Sequence, residues 1–218
     1  MNNVTFITGN QNKADYLAKY LGHPVDHVKL DLDEIQSLDL REIVEHKVRQ
    51  AYEQIKKPVL VEDVSLEFTA MGRLPGPLIK WFLEEMELDQ ICTLLNSKDR
   101  TATGRCMFGY YDGTRLEFFE GVLRGQIANS PAGENGFGWD KLFIPDGYEV
   151  TRASLGEEDY QEVYTSHTVL STLQVLMIAS SESFKILSAY LDTVATFWEI
   201  MDGKGRRWGW KVLCGRYI

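Results

Sequence analysis

The 218-residue chain is short of positive charge: 23 Lys and Arg stand against 32 Asp and Glu, a formal net charge of −9. That excludes a general binder of nucleic-acid backbones, which needs a broad basic surface, although two or three local cations can still make a small phosphate site. Cysteine is also scarce. Cys92, Cys106 and Cys214 are isolated, with no CxxC pair and no framework spacing, as expected of a reduced, intracellular protein. The opening MNNVTFITGN has neither the basic stretch nor the long apolar core of a secretory leader. No uninterrupted apolar run reaches transmembrane length. The expectation is a soluble, cytoplasmic protein without a membrane or nucleic-acid partner. What is present suits a sizeable core: 44% hydrophobic and 25% charged residues, in one large domain or one domain plus an appendage.

The stretch with the most chemistry is residues 59–82, VLVEDVSLEFTAMGRLPGPLIKWF. It reads as a buried strand that ends on two adjacent carboxylates, Glu62 and Asp63. A breaker follows at Leu74, Pro75, Gly76 and Pro77, and then a helix carrying Lys80. Carboxylates at a strand end, with a lysine returned by a rigid turn, suit a metal ion and a phosphate.

Residues 4–7 read as a short strand, followed at once by Thr8, Gly9, Asn10, Gln11, Asn12 and Lys13. Tyr16, Leu17, Tyr20 and Leu21 then recur at helical spacing. A loop at a helix N-terminus gathers unpaired N–H groups and the positive end of the macrodipole, which favour an anion. Gly9 allows close backbone approach, and Lys13 can reach a phosphate. The same residues also suit a plain strand–helix turn with an asparagine cap. A Walker loop, GxxxxGK[ST], is absent.

Residues 23–32 suggest a second strand region, leading into Asp33 and Glu34. Residues 40–55 form an amphipathic helix with Ile43, Val44, Lys47, Val48, Ala51 and Ile55 along one side, so Lys47 either snorkels or points into a cleft. A second short helix follows around Leu88, Ile91, Leu94 and Leu95. Residues 101–123 alternate about an Asp112-Gly113 turn, the pattern of a β-hairpin, and residues 121–127 add a further strand. Residues 130–146 make a Gly- and Pro-rich loop around Phe137, Gly138, Trp139 and Asp140. Its aromatics either cap the core or form a slot for a planar base.

Taken together and in order, four motifs resemble the inosine triphosphate pyrophosphatase family: Thr8-Gly9-Asn10-x-x-Lys13, Val61-Glu62-Asp63-x-x-Leu66, Leu74-Pro75-Gly76-Pro77 through Lys80-Trp81-Phe82, and Phe137-Gly138-Trp139-Asp140 with Phe143-x-Pro145-x-Gly147-Tyr148. The resemblance implies an α/β fold with a long, twisted, mixed sheet in two lobes flanked by helices, the nucleotide lying in the cleft between them. It also implies a homodimer that uses Mg²⁺ to hydrolyse non-canonical purine nucleoside triphosphates (ITP, dITP, XTP) to the monophosphate and pyrophosphate. On that reading Thr8, Gly9, Asn10 and Lys13 hold phosphates, and Glu34, Asp63 and Glu62 serve the metal. Asp63 is the general base, with Lys47 and Lys80 at the reacting centre. Phe137 stacks on the base, while Gly138, Trp139 and Asp140 shape its pocket. A rival reading, from another class, is a nucleotide-binding or interaction protein on the same fold with weakened base selectivity.

The resemblance fades after Tyr148. The family pattern continues to Ser-His-Arg, whereas here Ser166 and His167 precede Thr168. His167 either keeps the family's base-contacting place or is an unrelated histidine. The expected division is a pyrophosphatase domain over 1–168 and an atypical helical and basic extension over 169–218. That extension packs on the core or at a dimer interface, or touches a membrane through its Trp/Arg tail. Arginine offers only donors, which suit a 6-keto oxygen and reject adenine's amino group, whereas threonine both donates and accepts. The expected outcome is measurable hydrolysis with relaxed base selectivity. Comparing kcat/KM on ITP, XTP, ATP and GTP checks this, and strict rejection of ATP would contradict it.

Overall fold

The computed structural model describes residues 4–21 and 25–163. His167, Thr168 and the 169–218 extension lie outside them. Among the described residues, seven strands make one mixed sheet in the order β2-β1-β3-β5-β6-β7, with β4 set beside β3. In chain order the elements are β1 (Thr5–Ile7), α1 (Gln11–Leu21), β2 (His27–Val28), α2 (Leu40–Ile55), β3 (Val59–Phe68), β4 (Pro75–Gly76), α3 (Ile79–Glu85), α4 (Leu88–Thr93), β5 (Thr101–Tyr111), β6 (Leu116–Ile127) and β7 (Phe143–Pro145). β1 runs parallel to β2 and β3, and the remaining pairings are antiparallel. No helix among the described residues is long and apolar enough to cross a membrane.

The α2 helix has the limits its periodicity predicts. Asp39 accepts a hydrogen bond from the Arg41 N–H at 2.9 Å and caps the N-terminus. Lys56, in the left-handed region at φ 55°, ends the helix. Leu40, Ile43, Val44, Val48 and Ala51 are buried against the sheet, where each fully buried aliphatic side chain contributes roughly 1.5–3 kcal/mol.

Three expectations need correcting. β3 does not end at Glu62 and Asp63 but continues to Phe68, paired with β5 from Val59 opposite Tyr111 to Phe68 opposite Ala102. The apolar residues beyond the carboxylates, Leu66 and Phe68, are buried and keep the strand going. The region expected as a second strand contracts to His27–Val28, both exposed at the sheet's edge. Residues 121–127 are not a separate strand: they are the second half of β6, paired with β5 along its length.

The pleat gives β3 two chemically different faces. Leu60 and Val64 pack with Cys106, Phe108 and the α1 residues Ala14 and Leu17. Val59 and Val61 pack with Met107 and the α2 residues Val44 and Val48. Towards the far end of β3, Leu66 and Phe68 join Ile79, Ile91, Leu95, Trp139 and Phe143 in another cluster. Between these clusters the flank of β3 is open. Among the described residues β1 accompanies β3 only as far as Val61 and β4 begins at Leu66, so none of their strands pairs with residues 62–65 on that side.

Contact between α2 and the sheet is close because Gly109 has no β-carbon; one placed there would stand 2.5 Å from Val44 Cγ1. Gly109→Ala is expected to push α2 outward and destabilise the fold by about 1–3 kcal/mol, as overpacking does. Urea denaturation of the variant checks this, and an unchanged midpoint would contradict it.

Candidate active site

The open flank of β3 is where the ionisable side chains gather. Even-numbered residues of β3 turn their backbone groups toward it, since Pro58 O accepts from Thr5 N and Phe68 N donates to Leu74 O. The Val64 N–H on this side is taken by Asp63 Oδ1 at 2.8 Å, which fixes the carboxylate against its own strand. β1 delivers the next loop to the same place. Thr8 Oγ1 accepts from Asn10 N at 3.1 Å, and Asn10 Oδ1 accepts from Asn12 N at 3.0 Å. Gly9 is exposed between them. Asn10 is thus the helix cap, and α1 starts with its N-terminus at the gap.

Two lysine–carboxylate groups occupy opposite faces of β3. On the α1 face, Lys13 Nζ lies 3.3 Å from Glu62 Oε1, and both side chains are largely buried. Burial alone would push the Lys13 ammonium down, but the attraction of Glu62 and Asp63 outweighs it and raises the group above the ordinary 10.5. Its charge-dependent stabilisation is therefore complete below that ordinary value and is lost only as pH climbs through the raised one, so Lys13 is a cation at neutral pH. The Cys106 thiol, also on this face, donates to Glu62 Oε1 at 3.5 Å. Burial, reinforced by Glu62, pushes that thiol well above its ordinary value, so it remains a protonated donor.

On the α2 face, Lys47 Nζ sits 2.6 Å from Asp63 Oδ2 and 3.3 Å from Glu34 Oε1. Lys80 Nζ, from α3, approaches Glu34 Oε2 at 3.6 Å. The three lysines balance the three carboxylates, so the set is neutral by itself. A groove of about 510 Å³ opens near Lys80, lined by Gln36, Ser37, Leu38, Leu78, Trp81 and Phe82. It contains none of these ionisable groups, and the chemistry belongs to the gap instead.

Asp63 and Glu34 thus converge on a single cation, the Lys47 ammonium. Two hard oxygen donors around one positive position fit a hard divalent ion that takes its remaining ligands from phosphate and water. Among the described residues no group of three or more His, Cys, Asp or Glu is placed to hold a metal alone. Glu62 points to the other face and does not join the pair.

The loop around Phe137 is held by a buried ion pair. Asp140 Oδ2 accepts from Phe137 N and from the Tyr160 hydroxyl, both at 2.9 Å. Its Oδ1 lies 3.1 Å from Arg152 Nη1, with both side chains about 5% exposed. The Arg152 guanidinium rests over the Tyr160 and Trp139 rings, 5.0 and 5.8 Å from their centroids. Gly136 makes the turn at φ 75°, where a β-carbon would strike Asp140 Oδ2. Trp139 is core, packed edge-on against Phe143 at 5.3 Å. Of the two aromatic readings, the core one describes Trp139; half-exposed Phe137 and exposed Gly138 form the outer surface. Sequence reasoning missed Cys106, Arg152 and Tyr160. An arginine inside the Thr151-Arg152-Ala153 stretch was the available signal for the buried pair.

Asp140→Asn is expected to cost about 1.5–3 kcal/mol, since it replaces the carboxylate of a buried, charge-assisted contact with Arg152. Equilibrium denaturation measures this, and a loss under 1 kcal/mol would contradict the assignment.

The sequence profile of the Ham1 family matches residues 4–174. Inosine triphosphate pyrophosphatase 2 of Trypanosoma cruzi is 44% identical over 165 residues, covering 73% of this chain and 84% of that protein. The inosine triphosphate pyrophosphatase of Scheffersomyces stipitis is 35% identical over 195 residues, covering 82% of this chain and 100% of the other. The solved HAM1 protein of Coxiella burnetii shares the fold, with a TM-score of 0.69 at 22% identity over 84% of this chain and 100% of that one. With the profile spanning most of its length, the chain belongs to the Ham1 family.

Proposed function

We propose that the protein hydrolyses non-canonical purine nucleoside triphosphates, ITP, dITP and XTP, to the monophosphate and pyrophosphate. The observation that carries this reading is the set of ion pairs beside residues 62–65 of β3, where Lys13 meets Glu62, Lys47 bridges Asp63 and Glu34, and Lys80 approaches Glu34. Family membership and the pyrophosphatase relatives support it. The gap matters because it lets side chains from both faces of the sheet reach one extended anion.

In this reading the α1 N-terminus, with Thr8, Gly9, Asn10 and Lys13, receives phosphate oxygens. Lys47 and Lys80 stabilise charge that builds on the departing pyrophosphate, which is most of what phosphoryl transfer asks of a protein. Asp63, fixed by the Val64 N–H, orients the water that attacks across the α–β anhydride and takes its proton. Glu34 and Asp63 would hold Mg²⁺, which supplies charge neutralisation on the phosphates when bound. Lys47 gains freedom to turn to the substrate as its carboxylates take another partner. The purine lies against Phe137, on the loop clamped by Asp140 and Arg152. A homodimer working on the cytoplasmic nucleotide pool is part of the same reading.

Pyrophosphate release from ITP with Mg²⁺ is the test. Asp63→Asn is expected to lower kcat by about 100-fold or more, the usual contribution of a positioned general base. Orthophosphate as the only product would contradict α–β cleavage, and an undiminished variant would remove Asp63 from the mechanism.

A further inference from the structure

We propose that Glu62 acts not as a metal ligand but as the positioning residue that holds Lys13 in place for the phosphates, itself fixed by the Cys106 thiol; this rests on the triphosphate reading above. Consecutive residues of a strand point to opposite faces. Asp63 therefore turns to α2, where Lys47 and Glu34 lie within reach, and Glu62 turns to α1. The Glu62 carboxylate meets the Lys13 ammonium at 3.3 Å and the Cys106 thiol at 3.5 Å, both on the same oxygen. A carboxylate 8% exposed needs hydrogen-bonding partners, and a lysine with a thiol donor provides them without a metal.

The register of the sheet makes this contact. Glu62 stands opposite Phe108 and Val64 opposite Cys106, so the thiol is the diagonal neighbour of Glu62 on the same face. Lys13 is a long side chain with many rotamers, and holding it in one before substrate arrives lowers the ordering required at binding. Its ammonium has three N–H donors, so pairing with Glu62 still leaves donors for phosphate. The adjacent carboxylates thus divide the work: Asp63 serves water and cation, and Glu62 serves the lysine.

The test compares wild type, Glu62→Gln, Lys13→Ala, their double variant, Cys106→Ala and Cys106→Ser. One readout is calorimetric binding of inorganic tripolyphosphate in EDTA, which involves neither metal nor turnover. The other is the Mg²⁺ half-saturation of ITP hydrolysis. Glu62→Gln is expected to weaken tripolyphosphate binding about tenfold, as loss of a charged hydrogen-bond partner does, with Mg²⁺ half-saturation unchanged. Adding it to Lys13→Ala should have no further effect, because the two act as a unit. Cys106→Ala, which leaves both charges in place, should weaken the same binding in part, and Cys106→Ser should restore it. Unaltered tripolyphosphate binding, effects of Glu62→Gln and Lys13→Ala that multiply, or a tenfold shift in Mg²⁺ half-saturation would each overturn the proposal. A wild type that binds tripolyphosphate but releases no pyrophosphate from ITP would overturn the substrate reading, while the binding arm still decides the link between Glu62 and Lys13.

Discussion

Everything at the candidate site depends on β3 losing a neighbour for four residues. A strand inside a sheet normally has its backbone groups satisfied on both sides and its faces sealed by packing. Here β1 leaves after Val61 and β4 arrives only at Leu66. The chain between them supplies exactly what such an interval tolerates: charged and polar residues, a backbone amide claimed by an adjacent carboxylate, and lysines on either side. The interruption separates two apolar clusters and gives a ligand access to both faces of one strand.

Electrostatics follow from that geometry. The lysines and carboxylates cancel, so the site holds its cations without a surplus of like charge. An incoming polyanion would upset this balance, and a divalent cation would restore it. The overall net charge of −9 is no obstacle, because screening confines the effect of remote surface charges to about 10 Å at ordinary salt.

Much of this was legible in the sequence. The limits of α2 follow from its apolar period and from Asp39, and the hairpin from its alternation about Asp112-Gly113. The order of the motifs singled out the lysines and Asp63 as candidates, and each of them forms an ion pair in the structure. The true end of β3 was hidden because a strand whose middle faces a cleft looks, residue by residue, like a strand that has stopped. Glu62 and Asp63 looked like one pair because adjacency in sequence says nothing until the pleat is known. Cys106 was invisible as a partner of Glu62, since the contact exists only in the register of β3 with β5. Trp139 and Asp140 were legible as part of the Gly-rich loop, but not that one is core and the other an internal counter-charge for an arginine twelve residues later.

That counter-charge has a consequence for the order in which the molecule is built. The loop bearing Phe137 has its shape fixed by Arg152 and Tyr160, which leave the ribosome after it. The lysines and Asp63, in contrast, all lie within the first eighty residues, although the far end of β3 packs against Trp139 and Phe143. During synthesis the Phe137 loop can therefore take its shape only once Arg152 and Tyr160 have emerged. A nascent chain released before Arg152 would carry Lys13, Lys47, Lys80 and Asp63 without the groups that hold the Phe137 loop in shape.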